Sequence, residues 1–146
     1  GGWIGLLLAR RMARLVGFVG IAAAPDFTED GFWPGLTEAQ RAEVMQDGQL
    51  LLPSAEGDPY VITRKLIEDG RKNLVLRAPL VLPVPVRLLQ GTLDDAVSRD
   101  TALRLLDGID SPDVSLTLVR GADHRFSDPA CLARIERAVA TVAPLG

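Results

Sequence analysis

Two stretches of this sequence carry side chains able to exchange a proton. One is Gln90-Gly91-Thr92-Leu93-Asp94-Asp95-Ala96-Val97. The other is Gly121-Ala122-Asp123-His124-Arg125-Phe126, which holds the only histidine of the 146 residues. A carboxylate beside an imidazole fixes its tautomer, leaves one ring nitrogen free to accept a proton, and stabilises the imidazolium that forms. Such a pair normally serves a nucleophile, whose usual setting is a strand, a Gly-x-Ser-x-Gly turn and a helix. No such turn occurs in residues 1–146, and none of Ser54, Ser98, Ser111, Ser115 and Ser127 stands in one. Ser98 and Ser127 read instead as helix caps or loop residues.

Both stretches should follow a strand. Residues 84–90 and 114–119 are short apolar runs of strand type, and residues 98–107 between them carry a helical stripe of Ala102, Leu105 and Leu106 stopped by Gly108. Asp94 and His124 are therefore one helix and one strand apart. That spacing puts both loops at the carboxyl edge of adjacent parallel strands, where reacting groups gather in open sheets. A last helix starts at Asp128-Pro129, with Leu132, Ile135, Val139 and Val142 expected on its buried face.

Upstream, residues 3–15 predict an apolar helix with Arg10, Arg11 and Arg14 at its C-terminal end and Gly17 as a stop. Residues 16–21 follow as a buried strand of a parallel sheet. Residues 27–82 have a different texture. Thr37 and Gln40 make a capping box for a helix ending near Gly48. Asp58-Pro59 reads as N-cap and first-turn proline of a second helix over residues 60–69. The expected organisation is a helix and strand in residues 1–26, a helical cap in 27–82, and a βαβα segment in 83–146 that carries the acid and the histidine.

Composition narrows the function classes. Sixteen basic and 19 acidic residues give a net charge of −3 without a basic block, which argues against nucleic acid or an anionic membrane as partner. The apolar run of residues 3–9 is too short to span a bilayer and lacks the flanks of a secretory signal, so a cytoplasmic location is expected. The single cysteine, Cys131, excludes an internal disulfide and reads as a packing residue. Asp94, Asp95 and His124 make too small a set to favour a metal, and no cofactor is implied. Residue 1 is glycine and the only methionines are Met12 and Met45. A truncated chain is expected, with Gly1 as the last glycine of an elbow whose serine precedes it.

The order of glycine, helix, strand, helical cap, strand with Asp, helix, strand with His and helix resembles the second half of the α/β hydrolases. The segments Gly1-Gly-Trp3, Val19-Gly-Ile-Ala22, Pro85-Val-Arg-Leu-Leu-Gln-Gly91, Asp94-Asp95-Ala-Val97 and Asp123-His-Arg125 look closest to the acyl-hydrolase branch. That branch includes mitochondrial palmitoyl-protein thioesterases and acyl-glucuronide esterases. Where the family often has Pro-Trp after the valine of the acid loop, this chain has Ser98-Arg99.

The resemblance implies an α/β fold of parallel strands with flanking helices, Asp94 as acid and His124 as base. It also implies a small-molecule ester or thioester substrate. The other reading of the residues is a non-catalytic fragment or interaction module, able to self-associate through an exposed sheet edge. Trp3, Phe27, Phe32, Trp33 and Tyr60 fit an acyl pocket and ordinary core packing equally well.

Overall fold

The computed structural model describes residues 1–54 and 57–143. In chain order the elements are α1 (Gly2–Ala9), β1 (Phe18–Ile21), a π-helical segment (Thr28–Phe32) running into the short α2 (Trp33–Gly35), α3 (Glu38–Asp47), β2 (Gln49–Ser54), β3 (Gly57–Thr63) and α4 (Arg64–Lys72). There follow β4 (Leu80–Val81), β5 (Val86–Gly91), α5 (Arg99–Gly108), β6 (Ile109–Asp110), β7 (Val114–Val119) and α6 (Pro129–Val142). They form two compact units, Gly1–Pro25 with Val75–Gly146, and Asp26–Leu74.

The first unit is built on a parallel sheet of order β1-β5-β7. β5 is central, pairing Phe18↔Val86 to Ile21↔Leu89 on one side and Val86↔Val114 to Gly91↔Val119 on the other. All of β5 except Arg87 is buried, whereas β7 has only half-buried and exposed positions, as a strand at the sheet margin does. At the start of the strands Arg87 makes a forked ion pair with Asp113, Nη2 to Oδ2 at 2.7 Å, fixing the β5–β7 register. Leu6, Leu82, Val86, Leu88 and Leu105 meet in the main core, with Trp3 packed against it. Residues 75–82, expected in the cap, belong to this unit: Val75, Leu80 and Leu82 enter its core, and β4 pairs in parallel with β6.

Two helices differ from the sequence reading. α1 stops at Ala9, so Arg10, Arg11 and Arg14 lie beyond it; no buried position follows Ala9 until Gly20, and a helix needs such a face to continue. On α6 the buried residues are Cys131, Ala138 and Val142, with Ile135 half-buried between them, whereas Leu132 and Val139 are each 47% exposed. Ile135 and Val142 thus pack as expected, whereas Cys131 and Ala138 are buried in place of Leu132 and Val139. Cys131 is a packing residue whose thiol is pushed up to about 11 by burial and by the Asp128 carboxylate.

The second unit is not purely helical. β2 and β3 form an antiparallel hairpin, Gln49↔Thr63 to Leu52↔Tyr60, where a helix was expected from residue 60. Leu50 and Ile62 are buried while Leu51 and Val61 are exposed, a period-two alternation that Asp58-Pro59 disguised as a helix start. The true N-cap of α4 is Thr63, whose Oγ1 accepts from Leu66 N at 3.0 Å. The Thr37–Gln40 capping box is present in both directions on α3, which ends at Gly48 in the left-handed region. Leu36, Val44, Leu50, Ile62 and Ile67 form this unit's core, flanked by Phe32 and Trp33, and Arg71 lies 4.5 Å over the Trp33 ring. Tyr60 is exposed.

Leu82 has no exposed surface, whereas its neighbour Val81 is 57% exposed. Leu82→Ala should destabilise the chain by about 2–5 kcal/mol in urea unfolding. Val81→Ala should stay within about 0.5 kcal/mol.

Candidate active site

The site grows from the carboxyl ends of β5 and β7. Beyond Gly91 the chain leaves the sheet yet stays tied to the loop after β7. Thr92 N donates to Val119 O (3.0 Å), Leu93 N to Ala122 O (3.0 Å), and Gly121 N to Thr92 Oγ1 (2.9 Å). This contact requires glycine at position 91, because a Cβ there would collide with the Ala122 carbonyl oxygen. The two loops are therefore one stitched unit.

Within the first loop Asp94 turns its carboxylate inward, leaving the side chain 1% exposed. Oδ1 accepts from Ala96 N (2.9 Å) and Val97 N (2.8 Å), and Oδ2 from Gln90 Nε2 (2.9 Å). His124 Nδ1 lies 3.1 Å from Oδ1 and 3.0 Å from Oδ2. Burial pushes the Asp94 carboxyl up, but the bonds from Val97, His124, Gln90 and Ala96 together outweigh it and hold the group below its ordinary 3.8. Asp94 is thus an anion at neutral pH and can only accept, so the neutral His124 ring carries its proton on Nδ1. The other ring nitrogen, Nε2, makes no hydrogen bond to a described residue, and the side chain is 47% exposed. A nitrogen that is open, basic and oriented from behind is placed to take a proton from a hydroxyl nucleophile.

The histidine loop is pinned on its far side too. Asp123 Oδ1 accepts from Phe126 N at 3.0 Å, closing a turn around His124. Phe126 holds φ at +53° and is buried among Leu89, Ala122, Cys131 and Ala138. Asp123 therefore serves the turn, and Asp95 is exposed with no hydrogen bond to His124.

Gln90, which opens the acid stretch but has no role assigned from sequence, is a fully buried polar side chain at the end of an apolar strand. The available signal was a lone amide in a run otherwise ending in leucines. Gly2 adds a third approach to this edge: a Cβ on it would lie 2.5 Å from the Ala23 Cβ, just past the end of β1. Gly1 has open space around it by the same measure, so the tight glycine is the second one.

Comparison with known proteins bears on this arrangement. No protein-family model matches the chain. A solved structure described as a putative hydrolase from Agrobacterium vitis S4 superposes with a TM-score of 0.90 at 39% identity, over 97% of this chain and 57% of that one. The mouse alpha/beta hydrolase domain-containing protein 10 superposes with a TM-score of 0.83 at 29% identity, over 98% of this chain and 60% of that one. The rat mitochondrial palmitoyl-protein thioesterase ABHD10 is 32% identical over 133 residues. This chain has the α/β-hydrolase fold. Its match with the rat enzyme covers 89% of this chain and 44% of that protein, so the chain spans less than half the length of its curated relative.

Two outcomes follow from the geometry. Because the folded Asp94 carboxyl is held below 3.8, its stabilisation is present above that value and is lost as pH falls through the folded one. The stability advantage of the wild type over Asp94→Asn, measured by urea unfolding, should be full above about pH 5 and shrink as the solution is acidified. Gly91→Ala should separate the two loops, visible as lost amide protection at Thr92, Leu93 and Gly121 in hydrogen exchange. Protection matching the wild type would show that the collision is relieved elsewhere.

Proposed function

We propose that Asp94 and His124 are the acid and base of a serine-hydrolase triad that cleaves a carboxylic ester or thioester, within a protein longer than these 146 residues. The observation that carries this reading is the Asp94 carboxylate, ionised and 3.0 Å from His124 Nδ1, behind an open Nε2. His124 takes the proton of the attacking hydroxyl and returns it to the leaving oxygen or sulfur. Asp94 holds the tautomer and stabilises the imidazolium.

The nucleophile and the oxyanion donors would come from outside residues 1–146. Two observations support this. No Gly-x-Ser-x-Gly turn is present, and two of the five serines are otherwise engaged, Ser98 Oγ capping α5 and Ser111 Oγ bonded to Val84 O at 2.8 Å. Gly2 brings the start of α1 beside Ala23, so a residue just ahead of α1 would emerge at the same sheet edge as Asp94 and His124. An N-terminal helix end there also favours a developing negative charge. The name of the rat relative, a palmitoyl-protein thioesterase, supports an acyl thioester substrate. Among the described residues the outer edge of β1 has no strand partner, and in the isolated chain it would accept a strand of another copy.

The reading is tested by two preparations. The 146-residue chain alone should not hydrolyse p-nitrophenyl butyrate above the buffer rate. In a longer protein carrying these residues, Asp94→Asn should lower kcat by about 10⁴-fold. Hydrolysis by the short chain that disappears in His124→Ala would place the nucleophile inside residues 1–146 and overturn this part of the proposal.

A further inference from the structure

We infer that Gln90 is a positioning residue for this pair, its amide nitrogen holding the acid loop shut and aiming the Asp94 carboxylate at His124. The inference deepens the triad reading and rests on it.

Three acceptors surround Gln90 Nε2: Asp94 Oδ2 at 2.9 Å, Val97 O at 3.1 Å and Gly91 O at 3.3 Å. That environment fixes which end of the amide faces the loop, since the flipped group would set Oε1 against three oxygens. The bonds to Asp94 and Val97 clasp the two sides of the loop that follows β5. Without them, only the backbone N–H groups of Ala96 and Val97 and the histidine itself would hold the carboxylate. Those N–H groups hold Oδ1, so Gln90 is the one protein donor besides His124 bonded to Oδ2 among the described residues.

The far end of the same amide argues that packing is not its purpose. Gln90 is 1% exposed, and its Oε1 meets no donor among the described residues. A buried acceptor without a partner is unfavourable, and methionine would fill a similar volume without one. The amide is offset only at its nitrogen, where every contact is to the acid or its loop. Gln90 thus supplies two things at once. It sets the rotation of the carboxylate, and it weakens Oδ2 as a base so that the carboxylate remains an acceptor toward His124.

The experiment uses the isolated chain and needs no hydrolysis. His124 is the sole imidazole, so its two ring nitrogens give unambiguous ¹⁵N signals that report the tautomer of the neutral ring. The unmodified chain should show the Nδ1–H form in excess. In Gln90→Met that excess should fall by roughly five- to tenfold, the scale of one weakened hydrogen bond to a charged group, with the urea midpoint little changed.

Asp94→Asn is the reference. If it alters the tautomer ratio and Gln90→Met does not, the inference is overturned and the pair stands. If Asp94→Asn leaves the ratio unchanged, the triad reading itself fails. Should Gln90→Met not fold, the unmodified chain still decides. The side-chain amide protons of Gln90 must exchange slowly and must shift in Asp94→Asn, and fast exchange or an unmoved signal overturns the inference.

Discussion

The site depends on how closely β5 approaches the loop after β7. Parallel strands are joined by long crossovers, so nothing local brings the residues after one strand to those after the next. Here the absent side chain of Gly91 allows the carbonyl of Ala122 to come within van der Waals range, and Leu93 N then bonds it. Once that contact exists, Thr92 can reach both Val119 and Gly121, and Asp94 is delivered to His124 without any motion of its own. The core beneath, with Leu88 and Leu89 on β5, acts mainly as the rigid support that keeps the two strand ends in register.

The electrostatics of the pair are asymmetric. The acid side chain is buried, and burial alone would push its pKa up. Backbone and side-chain donors reverse that effect, so the negative charge sits in a fixed cage beneath the ring. The imidazole is left nearly half exposed. The pair is thus held rigidly behind the ring and left open in front of it.

Much of this could be read from the residues. The strands that carry the site announced themselves as short apolar runs, and the interval between Asp94 and His124 implied a shared edge whatever the details of packing. Asp94 and Asp95 are hard to tell apart from composition, since both are turn aspartates; in the fold the backbone of Ala96 and Val97 bonds the first, which lies beside His124. Gln90 was hidden because a strand-end amide has no pattern of its own until its three acceptors converge in space. The hairpin of β2 and β3 was concealed by a competing local signal, Asp58-Pro59, which satisfies the rules for a helix start as well as those for an edge ribbon. On α6, Ile135 and Val142 were legible as packed positions, while the large apolar Leu132 and Val139 masked Cys131 and Ala138, which are the buried ones.

The way the second unit is inserted has a bearing on how such a chain can vary. It leaves the sheet after β1 and returns before β5, and those strands are held to each other directly from Phe18↔Val86 to Ile21↔Leu89. The ends of the excursion are thus fixed by the sheet and not by what lies between. For a flexible connection, doubling the length adds only about 0.6 kcal/mol of closure entropy. The length of residues 26–74 therefore adds little closure entropy to the frame that holds Asp94 and His124. One frame can carry connections of many lengths.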